Sequence, residues 1–187
     1  MSPILFVDGE NLVMRYQAMK AAGRTPHPDV AHVQDTYVWT DGISQLVSGG
    51  FARVCYYSTV VGDDVLAERI RGEIASQFHG FGVHPHPTTK YQPVPFVFKK
   101  AARSEKTRTV DIQIVIDIMR AATQASFGPL VLASGDGDYL PVLAEAMRLG
   151  KQVVVAAFSS GINPLIPRSV DKFISLDHYF FSNESVA

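Results

Sequence analysis

Four aspartates carry the chemistry that this sequence offers. Asp8 follows the apolar run Ile4, Leu5, Phe6 and Val7, while Asp136 and Asp138 lie in the loop Ser134-Gly135-Asp136-Gly137-Asp138 after a second apolar run, residues 129–133. Asp111 opens a helical segment. Carboxylates gathered within a few ångströms repel one another, and their pKa values rise unless a cation joins them. Mg2+ or Mn2+ resolves that conflict, because hard cations prefer oxygen ligands and keep several waters. Such an ion stabilises negative charge on a phosphoryl oxygen and acidifies water, so phosphodiester hydrolysis would need no nucleophilic side chain.

The elements around these residues explain how they could meet. Residues 4–7 form a continuous apolar run that breaks at Asp8-Gly9, the pattern of a strand buried on both faces of a parallel sheet. A helix is expected over residues 11–22, closed by Gly23, and a short one over 41–47. Strands are expected at 53–61, 129–133, 153–158 and 172–176, with helices at 64–78 (capped by Asp63), 109–124, 139–149 and 164–168. Residues 24–36 carry no clear pattern, and 83–108 read as an irregular edge segment followed by a basic loop. The alternation predicts one open α/β sheet with right-handed crossovers and a single domain over 1–187. In such a sheet, ligands bind beyond the carboxyl ends of the strands where the strand order reverses. If the strands before Asp8 and Asp136 are neighbours, three carboxylates share that crevice.

Asp111 joins by helical phase. At about 100° per residue, Ile114, Val115, Ile118 and Ala122 lie within about 60° of it, whereas Gln113, Asp117, Arg120 and Gln124 fall opposite. Asp111 is therefore expected to face inward and Asp117 outward. An inward carboxylate is costly unless paired or bound to a cation, and the helix dipole offsets only about 0.3–1 kcal/mol of that.

Residues Phe6-Val7-Asp8-Gly9-Glu10-Asn11, then Val110-Asp111, then Leu132-Ala133-Ser134-Gly135-Asp136-Gly137-Asp138-Tyr139 resemble the NYN domain, particularly its LabA-like branch, from residue 3 to about 177. The resemblance implies a PIN-like, Rossmann-like three-layer sandwich whose mainly parallel sheet is flanked by helices. It also implies a metal-dependent ribonuclease, endonucleolytic on RNA, with Asp8, Asp111, Asp136 and Asp138 as metal-site acids. Asn11 then holds the first loop or touches substrate, and it also suits a helix N-cap. Ser134 bonds within the acidic loop. Glu10 could reach the site but reads first as a solvated first-turn acid. The family's basic residue stands close before the helix acid; here Lys106 and Arg108 both compete for that place.

The formal net charge is −1, so any attraction for RNA must be local. Lys99, Lys100, Arg103, Lys106 and Arg108 set five positive charges against Glu105 directly before Asp111, a candidate lip for phosphates. Tyr91 and Phe96 read as edge packing rather than base-stacking groups. Cys55 is the only cysteine, which excludes an intrachain disulfide and a cysteine-rich zinc site; His84-Pro85-His86 lacks further ligands at zinc spacing. No apolar run reaches the roughly 20 residues that span a bilayer, and the N-terminus lacks a signal-peptide pattern, so a cytoplasmic location without membrane contact is expected. Self-association or a protein partner stays open. The competing reading is a non-catalytic RNA- or protein-binding regulatory module that keeps the acidic pocket. A phosphatase is disfavoured by the lack of Asp-x-Asp-x-Thr after the first strand.

Overall fold

The structure is a computed structural model that describes residues 1–81, 89–102 and 108–182. The first apolar run is β1 (Ser2–Asp8), and it passes straight into α1 (Gly9–Ala21). An antiparallel hairpin follows, β2 (Ala31–Val33) and β3 (Tyr37–Trp39), then a 3-10 turn, Asp41–Leu46. Next come β4 (Arg53–Val61) and α2 (Asp64–Ala75), which Asp63 caps by accepting the N–H of Leu66 at 2.9 Å. The antiparallel pair β5 (His79–Phe81) and β6 (Thr89–Tyr91) leads to β7 (Val94–Lys100) and α3 (Thr109–Thr123). The chain closes with β8 (Phe127–Ala133), a 3-10 turn Gly137–Tyr139, α4 (Leu140–Arg148), β9 (Val153–Ala157), α5 (Ile166–Ser169), β10 (Lys172–Ser175) and α6 (Asp177–Phe180).

Six strands form one sheet in the order β10-β9-β8-β1-β4-β7, and every pairing is parallel. From β1 the chain steps outward to β4 and β7, then returns to the other side of β1 with β8. The strand order therefore reverses between β1 and β8, with Val7 opposite Ala133. Alternation along the strands sends side chains to opposite faces. Leu5, Val7, Val54 and Tyr56 pack under α1 and α2; Ile4, Phe6, Cys55 and Tyr57 pack under α3 and α4. The three-layer α/β class expected from the sequence is the one observed.

Three segments sharpen or correct the expectation. The edge segment expected within 83–108 holds a regular strand over residues 94–100, paired with β4 from Cys55 opposite Val94 to Val61 opposite Lys100. Pro95 disguises it, and it is tolerated because β7 is an edge strand. The weakly patterned region before residue 37 contributes a hairpin that is pinned to its surroundings by side chains. The Tyr56 hydroxyl accepts the N–H of Val38 and donates to its carbonyl, each at 3.1 Å, and Ser58 Oγ donates to the Thr36 carbonyl at 2.8 Å. Asp35 sits at φ 54°, a left-handed turn position that aspartate accepts more readily than most residues. The expected helix over 64–78 stops at Ala75, since His79 is drawn into β5.

Candidate functional site

Asp8 ends β1 and caps α1. Its Oδ1 accepts the N–H of Asn11 at 3.1 Å, and Oδ2 accepts the Ser134 hydroxyl at 2.9 Å. The cap of this helix is thus Asp8, while the Asn11 side chain reaches across to accept the Gly135 N–H at 3.0 Å. Ser134, fully buried, accepts the N–H of Asp136 at 3.2 Å while donating to Asp8. Asn11 and Ser134 therefore stitch the loop after β1 to the loop after β8. Gly9 lets this happen: a Cβ there would lie 2.5 Å from the Tyr56 ring and 2.5 Å from the Tyr57 carbonyl oxygen, so any side chain would push α1 off β4.

Asp136 caps the 3-10 turn by accepting the Asp138 N–H at 2.9 Å, so a local capping role and a place beside the other acids coexist. Asp111, in the first turn of α3, accepts the Tyr139 hydroxyl at 3.0 Å; the same hydroxyl lies 3.3 Å from Asp8 Oδ2. A phenol has one proton to donate, so Tyr139 can donate to only one of the two carboxylates at a time. Burial pushes Asp8 up from 3.8 to about 6, with Asp111 and Glu10 adding to the rise and the Asn11 and Ser134 hydrogen bonds opposing it. Burial likewise raises Asp111, opposed by Tyr139 and reinforced by Asp136, Glu10 and Asp138.

Glu10 is not the solvated first-turn acid that its sequence context favours; it lines the cleft, as its other reading allows. It is only partly exposed, accepts the Lys100 ammonium at 2.6 Å and takes a hydrogen bond from Thr59. Its sole sequence signal was its place after Gly9, because its cation lies 90 residues away. Asp117 also departs from expectation. It accepts the Tyr57 hydroxyl at 2.9 Å, the Gln113 amide at 2.9 Å and the Arg120 guanidinium at 3.1 Å. The buried stripe of α3 comprises Val110, Ile114, Ile118, Ala121 and Ala122, so Asp111 and Asp117 flank it on opposite sides, and Ile112 and Ile116 are exposed.

Asp8, Glu10, Asp111, Asp136 and Asp138 line one cleft of about 1160 Å3. Lys100 and Arg108 line it too, whereas Lys99 is half-exposed and pairs with Asp64 at 2.7 Å. Arg103, Lys106 and the His84-Pro85-His86 stretch lie outside the described residues. Phe96 stacks on Tyr57 with ring centroids 4.8 Å apart, and Tyr91 stacks on His79 at 6.0 Å, the packing roles expected of both. Among the described residues, no group of three or more acids, histidines or cysteines is arranged to hold one ion together. Among the same residues, no helix is long and apolar enough to cross a membrane.

The NYN domain family model matches residues 4–177. The chain belongs to the NYN family. That family is nuclease-like, and the aligned span of this NYN domain includes every acid described above. Among curated proteins none matches the chain. Among solved structures, this NYN domain is similar to a protein of unknown function, VPA0982 from Vibrio parahaemolyticus, with a TM-score of 0.60 and 15% identity over 97% of this chain and 96% of that one. At that identity the likeness concerns the fold alone.

Proposed function

We propose that this NYN domain is a metal-dependent ribonuclease of the LabA-like branch, akin to PIN and FLAP-type nucleases, that hydrolyses RNA phosphodiester bonds endonucleolytically. The observation that carries the reading is the gathering of acids from β1, α3 and the loop after β8 along one cleft, where the strand order reverses. Nuclease-like domains of this kind generally use divalent metals. The donor set fits Mg2+ or Mn2+: all ligands are hard oxygens, and burial, with a smaller contribution from neighbouring acids, raises the pKa values of Asp8 and Asp111, a cost of charge that a cation relieves.

Asp8, Asp111, Asp136 and Asp138 would hold the ion, which supplies positive charge against a phosphoryl oxygen and acidifies water. The chain's own contribution is placement. Ser134 and the Asn11 N–H fix both oxygens of Asp8, Asn11 ties the two loops, and Tyr139 braces Asp8 against Asp111. Lys100 and Arg108, on the cleft, are the basic groups best situated to meet phosphates; Lys99, Arg103 and Lys106 extend that basic segment. The decisive experiment uses purified Asp136→Asn. It should lose Mn2+-dependent cleavage of single-stranded RNA and bind Mn2+ more weakly by calorimetry, with an unchanged circular dichroism spectrum. Cleavage at the wild-type rate overturns the mechanism.

One observation favours a second reading, a regulatory module that binds RNA or protein without cutting. Both oxygens of Asp8 are occupied by protein donors, and among the described residues no three acids are arranged to hold one ion. Tight RNA binding with no cleavage in either Mn2+ or Mg2+ would select it.

A further inference from the structure

The acids occupy only part of their cleft. Ligand pockets of about 300–1,000 Å3 hold whole small molecules, so a cleft of about 1160 Å3 has room for far more than a scissile phosphate and an ion. The remaining wall mixes apolar side chains, Val13 and Met14 of α1, Val60 and Val61 at the end of β4 and Leu66 of α2, with polar ones from the β2–β3 hairpin and β4. Met14 is 53% exposed and Val61 39%, so two apolar side chains present their surface to this one space. On the far side stands the β2–β3 hairpin, whose tip is locked to α1. The Gln17 amide donates to Asp35 Oδ1 at 2.9 Å, and its oxygen accepts the Asp35 N–H at 2.7 Å and faces His32 Nε2 at 3.0 Å. With Tyr56 and Ser58 clamping the same hairpin, the wall is preformed.

We propose that this part of the cleft seats one unpaired nucleotide of the RNA strand next to the scissile phosphate, with Met14 packed on the face of its base. The placement of that phosphate rests on the nuclease reading above; the pocket itself does not. A flat aromatic base suits such a wall, its face against the apolar side chains and its polar edge toward the hairpin, where the Gln17 amide is used within the protein and the exposed Gln34 amide donates to Asp35 at 3.3 Å. A thioether is polarisable and packs well against aromatic faces. The strand's charge is met at two places. Lys100 and Arg108 line the cleft with the acids, and Arg69 of α2 lines it too, its recorded ion pair being a 3.6 Å contact with Glu73. A base buried in this slot cannot keep a Watson–Crick partner, so the site selects single strands over duplex, as base-splaying RNA sites do.

Fluorescence polarisation tests this at fixed salt with Mg2+, in an Asp136→Asn background so that turnover does not consume the probe. The probe is a fluorescein-labelled single-stranded RNA of about twelve nucleotides, compared with a blunt duplex of the same sequence. Met14→Glu should weaken single-strand binding by about tenfold or more, the scale of one lost base contact, and Met14→Leu should leave it nearly unchanged. Val65→Glu on α2, 76% exposed and off the cleft, makes the same charge change and should have little effect. Equal weakening by Met14→Glu and Val65→Glu, or duplex binding as tight as single-strand binding, overturns the proposal. Competition by AMP as tight as by the oligonucleotide also overturns it, since the seat would then serve free nucleotides. An Asp136-intact protein that never cuts RNA, yet passes these binding tests, overturns the nuclease reading and keeps the pocket. One that cuts while carrying Met14→Glu as fast as wild type does the reverse.

Discussion

Asp111 and Asp117 sit on one helix, at opposite edges of the same buried stripe, and their surroundings could hardly differ more. Asp117 collects three donors from Tyr57, Gln113 and Arg120. Asp111 has the shared Tyr139 hydroxyl and feels three other acids. A carboxylate surrounded by donors is part of the scaffold; a carboxylate surrounded by carboxylates is under electrostatic load that something else must relieve. Helical phase alone cannot separate the two, because both flank the core.

That contrast can be broken by mutation, beginning with activity. Asp111→Asn should lower Mn2+-dependent RNA cleavage by about a hundredfold or more, the scale on which single charge-stabilising groups act. Asp117→Asn should leave the rate within a small factor of wild type; equal losses would erase the distinction.

Stability should move the opposite way. In EDTA, Asp8→Asn should stabilise the fold at pH 8, because the shift from 3.8 to about 6 corresponds to a penalty of about 3 kcal/mol. The sign follows from linkage: a folded-state pKa above the unfolded one favours the native state at low pH, and that advantage is lost as pH rises through about 6. The gain from Asp8→Asn should therefore shrink below pH 6 and vanish below about pH 3, where Asp8 is protonated in both states. Urea midpoints across that range measure it, and a gain that stays at its pH 8 size below about pH 3 would count against the charge penalty as its cause.

Asp117→Ala should instead destabilise by about 1–3 kcal/mol, since it strands the Tyr57 hydroxyl against the core, read as a lower urea midpoint at constant slope. Arg120→Ala should be the smallest effect, below about 1 kcal/mol, because that guanidinium is largely exposed. If it equals Asp117→Ala, the ion pair rather than the buried tyrosine holds that edge of α3.

The sequence showed the parts that depend on local pattern. The uninterrupted apolar runs of β1, β8 and β9 announced a parallel sheet, and their abrupt polar ends located Asp8, Asp136 and Asp138. Hidden were the features made by distant partners. Glu10 looks solvated until Lys100 arrives beside it, and Asp117 looks exposed until Tyr57 reaches it from β4. β7 was obscured by prolines that only an edge position forgives, and the β2–β3 hairpin owes its order to Tyr56, Ser58 and Gln17 rather than to its own residues.

The direct contact between Ser134 and Asp8 spans 126 positions of the chain. On the ribosome, where synthesis proceeds from the N-terminus at about 5–20 residues per second, Asp8 emerges long before the strand that completes its surroundings. Parallel pairing over such a separation is slow to form. A cluster assembled this late stays scattered through most of translation, so, on the ribonuclease reading proposed above, a nascent chain has no assembled acid cluster beside the message that encodes it.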